Sequence, residues 1–77
     1  MPGEDGKSYR IVELVGTSAD SLDAAIQNGI AAAGEAVDSL DWFHVREIRG
    51  RIEDKRVAWY QVTLGVGFRI EDESQTV

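Results

Sequence analysis

An apolar side chain stands at every second position from Tyr60 to Ile70, within the stretch AWYQVTLGVGFRI of residues 58–70. Side chains of a β-strand alternate between the two faces of its sheet, so this row predicts a strand with one face against a core. The intervening positions are Trp59, Gln61, Thr63, Gly65, Gly67 and Arg69. This second row is polar and rich in glycine, which indicates a surface that ligands or other chains approach closely.

Two further elements are predicted before this strand. Residues 9–15 (YRIVELV) are rich in β-branched side chains and are followed by Gly16, which predicts a short strand. The sequence TSAD at residues 17–20 offers a hydroxyl cap and an acidic first turn, and apolar residues then recur every three or four positions. This spacing predicts an amphipathic helix of about twenty residues. Its buried stripe is mostly alanine and glycine, including Gly29 and Gly34, which indicates close packing.

Residues 40–53 (LDWFHVREIRGRIE) predict a second long strand, in which the apolar alternation shifts by one position near Arg46. A β-bulge at this point would keep every apolar side chain on the core side. Residues 54–56 predict a three-residue turn, which pairs Glu53 with Val57. The predicted fold is therefore α+β, with the order β-α-β-β and one antiparallel sheet that carries one helix on one face.

Composition limits the kinds of site that the chain can carry. It has no cysteine, one histidine and a formal net charge of -6, from 8 basic and 14 acidic residues. Disulfides and thiolate metal sites are excluded, a classical zinc cluster is disfavoured, and so is electrostatic binding to nucleic acid or an anionic membrane. Because no apolar run reaches membrane-spanning length and the first residues do not resemble a signal sequence, we expect a cytoplasmic protein.

Seventy-seven residues suffice for one small domain. We expect this domain to span residues 9–72, between flexible tails at residues 1–8 and 73–77. One helix covers only one sheet face, and the other face is expected to carry Trp42, His44, Arg49, Arg51, Trp59, Gln61, Thr63 and Arg69. Two tryptophans on an uncovered face mark an interaction surface. We therefore expect a homo-oligomer in which this face meets another copy of the chain.

Three of these side chains suit a planar ligand that carries an anionic group. Trp42 offers a ring for stacking, and Gln61 offers both a donor and an acceptor to the edge of a ligand ring. Arg49, opposite Gln61 in the predicted pairing, can bind a phosphate or carboxylate with two hydrogen bonds. Packing, solvation and ion pairing remain open as ordinary structural roles for these residues. We find no catalytic triad, carboxylate pair or metal-ligand spacing, so the residues themselves do not predict an enzyme.

The pairing also predicts that Trp42 and Gln61 lie far apart within one chain. Trp42 is expected near Gly67, and Gln61 is six residues from Gly67 along the last strand, a distance of roughly 20 Å. One planar ligand of ordinary size does not reach both side chains. If both bind the same ring, they come from different chains, and assembly creates the site.

Four stretches of the chain closely resemble the dodecins, a family of small flavin-binding proteins: VELVGTS at 12–18, LDWF at 40–43, EIRG at 47–50 and YQVTLGVGFRIED at 60–72. The resemblance runs from about residue 9 to residue 72 and needs no insertion. It implies a β-α-β-β subunit whose three-stranded antiparallel sheet wraps around one helix. It also implies assembly as a hollow homododecamer.

The same resemblance implies a non-catalytic protein that binds, stores and sequesters flavin between tryptophans at subunit contacts and quenches its photochemistry. Trp42 matches the stacking tryptophan, and Gln61 matches the glutamine that hydrogen-bonds the isoalloxazine ring. Arg49 and Arg69 match basic residues that hold the phosphate of FMN. Riboflavin and lumichrome are alternative ligands. Some members also bind coenzyme A at a second contact, for which we assign no residue.

Four features depart from the family pattern. The turn at 54–56 lacks a glycine, Gly65 stands in place of a longer polar residue, His44 replaces an acidic residue, and Trp59 is an additional aromatic. Two alternative functions are left open: a purely structural self-assembling shell, and a small flavoenzyme with His44 as proton donor. Quenching of FMN fluorescence would favour flavin binding over the shell, and oxidation of NAD(P)H above the rate of free flavin would favour the enzyme.

Overall fold

The chain folds into three strands and one helix in the predicted order. These are β1 (Tyr9–Ser18), α1 (Leu22–Ala36), β2 (Trp42–Glu53) and β3 (Arg56–Arg69). The computed structural model describes residues 8–70. The segments predicted to be tails, residues 1–8 and 73–77, lie outside this part of the chain except for Ser8.

The three strands form one antiparallel sheet in the order β1-β3-β2. The central strand, β3, pairs with both neighbours, which explains why its alternation is the clearest in the sequence. Its apolar row faces α1, and Val62, Leu64 and Val66 are at most 1% exposed. They pack with Ala25 and Ala33 of the helix. The predicted α+β fold is confirmed.

The predicted β-bulge in β2 is also confirmed. Val45 lies opposite Leu64 and Glu47 lies opposite Thr63, so Arg46 is the additional residue. A bulge of this kind returns the following side chains to their original faces of the sheet.

The turn between β2 and β3 differs from the prediction. It has two residues rather than three, and Glu53 lies opposite Arg56 rather than Val57. Asp54 and Lys55 both have positive φ, 54° and 65°, as in a type I′ turn, whose twist matches that of the flanking strands. The register is restored by an irregularity between Arg51 and Ile52, so the pairings nearer the site remain as predicted.

The helix begins later and is shorter than predicted. It has 15 residues, and its N-cap is Ser21, whose hydroxyl accepts a hydrogen bond from the Ala24 amide at 3.0 Å. The predicted cap residues Thr17 and Ser18 instead extend β1, beyond the predicted end of that strand at Gly16. Both residues pair with β3, and the Ser18 hydroxyl accepts hydrogen bonds from the Asp20 and Ser21 amides just before the helix.

Within residues 8–70, α1 packs on β1 and β3 but not on β2. The expectation that one helix covers the whole apolar face was therefore wrong. The β2 side chains on this face are largely exposed: Phe43 (45%), Val45 (38%), Ile48 (55%) and Ile52 (75%). We call these four residues the β2 apolar strip. None of the helices in the described part of the chain is long and apolar enough to cross a membrane.

Candidate functional site

The candidate residues lie on the sheet face that points away from α1, which we call the open face. The buried row of β3 faces the helix, so the alternate positions of β3 and their partners on both neighbouring strands form the open face. From β2 it carries Trp42, His44, Glu47, Arg49 and Arg51, and from β3 it carries Trp59, Gln61, Thr63, Gly65, Gly67 and Arg69. The predicted assignment of side chains to the two faces is thus confirmed.

Trp42 lies opposite Gly67, and its indole rests on the glycine backbone. A Cβ atom added at Gly67 would lie only 2.7 Å from the indole Nε1, a contact that real Cβ atoms do not make. The ring of Tyr9 from β1 flanks the indole, with centroids 6.4 Å apart and planes inclined at 59°. The absence of a side chain at Gly67 therefore allows Trp42 to lie against the sheet.

The indole nitrogen of Trp42 is buried and has no hydrogen-bond partner among residues 8–70. A buried N–H group without an acceptor costs about 1–3 kcal/mol, and most native proteins satisfy such groups. An acceptor supplied from outside this part of the chain would remove that cost.

Arg49 and Gln61 lie directly opposite each other on β2 and β3, as predicted. The Gln61 amide makes no hydrogen bond within the described residues, and the strand holds it half-buried. The Arg49 guanidinium is 65% exposed, and its Nε lies 3.9 Å from a carboxylate oxygen of Glu47. An exposed ion pair at this distance contributes little free energy, so Arg49 can exchange this partner for another anion at little cost.

Arg69 is the last residue of β3, eight positions beyond Gln61, and lies opposite Tyr9 of β1. It lines a cavity of about 230 Å³ together with Ser39, Leu40 and Asp41. Its guanidinium has no ion-pair partner within residues 8–70. Arg69 is thus a second cation that could bind an anionic group, close to Trp42 and far from Arg49.

The structure groups the four candidate residues into two pairs. Arg49 and Gln61 adjoin each other, whereas Trp42 lies opposite Gly67, six positions farther along β3, with Arg69 beyond it. At about 3.3 Å per residue, the two pairs are separated by roughly 20 Å. The predicted separation is confirmed, and one chain does not bring all four side chains around one ligand.

The sequence prediction missed the aromatic surroundings of Trp42. Gly65 and Gly67 were expected to belong to a surface that ligands or other chains approach closely, but they are covered by rings of the chain itself. The imidazole of His44 covers Gly65 as the indole of Trp42 covers Gly67. The sequence contained a usable signal, because the correctly predicted register already placed His44 opposite Gly65.

Two further arginines of β2 form ion pairs with glutamates. Arg46, the bulge residue, contacts Glu13 of β1 at 2.6 Å, and Arg51 Nε lies 3.6 Å from Glu53. Within residues 8–70 no group of three or more side chains is arranged to hold a metal ion. The rings and the exposed guanidinium groups of the open face can contact planar and anionic groups.

The sequence profile of the Dodecin family matches residues 8–71, which is most of the chain. The chain belongs to the dodecin family. The resemblance inferred from the sequence is therefore confirmed, and the protein is a small dodecin.

Individual dodecins support the same assignment. A dodecin from Thermus thermophilus is 55% identical over 67 residues, which cover 87% of this chain and 97% of the relative. The crystal structure of the tt0972 protein from Thermus thermophilus superposes with a TM-score of 0.80 at 55% identity, covering 87% of this chain and 98% of that one. The dodecin from Streptomyces davaonensis gives a TM-score of 0.77 at 45% identity, with coverages of 87% and 98%.

Proposed function

We propose that this dodecin binds flavins without catalysing a reaction on them, and that it stores and sequesters them in sites shared between copies of the chain. FMN is the proposed principal ligand, with riboflavin and lumichrome as alternatives. Trp42 and Gln61 would contact the ring, while Arg49 and Arg69 would bind the phosphate of FMN.

The position of the Trp42 indole against Gly67 is the observation that carries the proposal. An indole that lies against bare backbone at Gly67 is held in place, and its outer surface can stack on a planar ring. Its buried Nε1 lacks an acceptor within the described residues, so a partner from outside would complete the arrangement.

The other candidate residues fit the polar parts of a flavin. The Gln61 amide can both donate to and accept from the edge of the isoalloxazine ring, which carries neighbouring acceptor and N–H groups. The exposed guanidinium of Arg49 can form two hydrogen bonds with a phosphate. A bound flavin supplies a ring that absorbs visible light. The stacked Trp42 indole would quench the excited ring by electron donation and so suppress photochemistry.

Variants of the dodecin from Thermus thermophilus support the choice of Trp42, Arg49 and Arg69. Crystal structures exist for three single-substitution variants of that protein. In one variant a tryptophan is replaced by phenylalanine, and in each of the other two an arginine is replaced by alanine. Along that chain the three positions are spaced seven and then twenty residues apart. Trp42, Arg49 and Arg69 have the same spacing here.

Self-assembly is the second part of the proposal. The β2 apolar strip is exposed in the single chain, which is unfavourable for so small a domain. Burial of this strip by other copies would stabilise the fold, and a hollow homododecamer is consistent with membership of the dodecin family. Assembly would also bring Trp42 of one chain towards Gln61 of another.

The proposal is tested by size-exclusion chromatography with absorbance recorded at protein and flavin wavelengths, followed by fluorescence titration with FMN. We expect flavin to elute with an oligomer and its emission to be quenched. Trp42→Ala should weaken binding by about 1–3 kcal/mol, the scale of base–aromatic stacking, and should restore the emission of flavin that remains bound. Unchanged affinity and emission in this variant would contradict the role of Trp42.

The exposed β2 apolar strip favours a second candidate, a purely structural shell. In that case the open face would only make contacts between subunits. The protein would then elute as an oligomer without flavin absorbance, and added FMN would keep its full fluorescence.

A further inference from the structure

We infer that His44 and Trp42 form one two-ring platform, and that a planar ligand stacked on it covers both rings, so that the charge on His44 controls the affinity. This inference rests on the proposed function, because the ligand is the flavin ring. It adds His44 as a ligand-contacting residue and predicts a dependence of binding on pH.

Two glycines create the platform. A Cβ atom added at Gly65 would lie 3.0 Å from Nδ1 and 3.1 Å from Nε2 of His44, and even closer to the carbon between them. A Cβ atom at Gly67 would meet the indole of Trp42 in the same way. Both rings therefore occupy the space that side chains of β3 would otherwise fill.

The two rings lie side by side. Their planes are inclined at only 26° and their centroids are 6.1 Å apart. Gly65 and Gly67 are two strand positions apart, a distance of about 6.6 Å, so the ring spacing follows the spacing of the glycines. Face-to-face contact would bring the ring planes much closer together. The indole and the imidazole therefore extend each other as one nearly flat surface, long enough to carry a fused ring system.

The chemistry of imidazole gives the sign of the pH dependence. His44 is exposed in the single chain, and a ring stacked over it would remove it from water. Losing hydration costs more for a charged group than for a neutral one. Ligand binding therefore favours neutral imidazole, and affinity should fall when the pH is lowered and histidine gains a proton.

The other charged and titratable groups around His44 come from all three strands. Glu13 of β1 lies on the other side of Gly65 and is paired with Arg46 of β2 at 2.6 Å. Tyr9 of β1 adjoins Trp42, and Arg69 lies beyond Gly67 on β3. Carboxylates, phenols and guanidinium groups generally keep their charge state between about pH 5 and pH 8, whereas imidazole changes its own. His44 is the sole histidine of the chain.

The test is a titration with riboflavin, which lacks the titrating phosphate of FMN, at about pH 8 and about pH 5. We expect the affinity of the unmodified protein to fall by roughly two- to tenfold, the scale of the cost of removing a partly exposed polar group from water. His44→Gln, which is never charged, should bind equally at both pH values.

Gly65→Ala provides a second variant that leaves both rings in the sequence. The added methyl group should displace the exposed imidazole and abolish the pH dependence while riboflavin still binds. A ligand-free measurement gives an independent readout: in Trp59→Phe, Trp42 is the sole tryptophan, and its emission should change between the two pH values only when His44 is present.

The possible failures are distinguishable. If riboflavin does not bind at either pH, the proposed function fails together with this inference. If it binds with the same affinity at both pH values, or if His44→Gln keeps the pH dependence, the role of His44 is wrong and flavin binding stands. If the fluorescence of Trp42 changes neither with pH nor on substitution of His44, the two rings are not in contact.

Discussion

Gly16 of β1 and Gly29 of α1 contact each other where the helix crosses the sheet. A Cβ atom added at Gly16 would lie 2.7 Å from the backbone nitrogen of Gly29 and would overlap the Ala25 carbonyl oxygen. Both glycines are buried, and the side chain of Leu64 lies above Gly29. This close contact compensates for the cost of a glycine inside a helix.

Gly16→Ala should therefore destabilise the protein by about 1–3 kcal/mol or more, because backbone atoms of the helix have to move. Gly34→Ala is the matched control. That position is exposed, and the nearest atom to the new methyl group would be Leu40 Cδ1 at 3.8 Å. It should stabilise the helix by up to about 1 kcal/mol. Thermal denaturation at fixed protein concentration measures both changes, and equal effects would contradict the close contact.

Glycine substitutions distinguish the observed two-residue turn, at Asp54 and Lys55, from the three-residue turn expected from the sequence. Lys55 has a φ of 65°, which costs free energy for a side chain without a local hydrogen bond. Lys55→Gly should stabilise the hairpin by about 0.5–1 kcal/mol. Arg56→Gly, one residue later and inside β3, should instead destabilise it. A stabilising effect of the second substitution would indicate the longer turn.

The sequence predicted those parts of the fold that depend on side-chain alternation. The buried row of β3 and the β-bulge at Arg46 determine which side chains lie on each face of the sheet. The pairing of Trp42 with Gly67 and of Arg49 with Gln61 follows from them. The ends of elements were harder to predict. Thr17 and Ser18 carry hydroxyls that suit a helix cap, but strand pairing and Ser21 compete for the same segment.

The positions of the candidate residues on the sheet were predictable, but their packing was not. Faces and register place Trp42 and Gln61 correctly, because a strand fixes the direction of each side chain. Ring orientation depends on contacts across the sheet, so the rings that cover Gly65 and Gly67 were not predicted. The position of α1 over two strands rather than three was also missed, since periodicity defines the apolar side of a helix but not the strands that it contacts.

Charge introduced into the β2 apolar strip should prevent assembly. Ile48 is 55% exposed and lies opposite the buried Val62, on the face that α1 leaves uncovered. Ile48→Glu should shift elution to smaller species, because an unpaired carboxylate is unfavourable in an apolar interface. Gln27→Glu adds the same charge at an exposed helix position and should elute like the unmodified protein. If both variants assemble normally, the strip is not an interface.

Arg49→Ala should weaken binding of FMN about tenfold or more, since a hydrogen-bonded charge pair contributes about 1.5–3 kcal/mol. Riboflavin, which has no phosphate, should lose little affinity. Arg10→Ala is the matched control: Arg10 pairs with Phe68 and lies on the other face of the sheet, so neither ligand should be affected. Parallel titrations with the two flavins measure the difference, and equal losses would rule out phosphate binding by Arg49.

A titration of mixed assemblies tests most directly whether two chains share each site. Trp42→Ala and Gln61→Ala chains, unfolded together and reassembled, would place an intact Trp42 beside an intact Gln61 at a fraction of the contacts between subunits. We predict that the mixture binds riboflavin at some sites with the affinity of the unmodified protein, although neither variant alone does. A titration curve equal to the sum of the two separate variants would contradict the shared site.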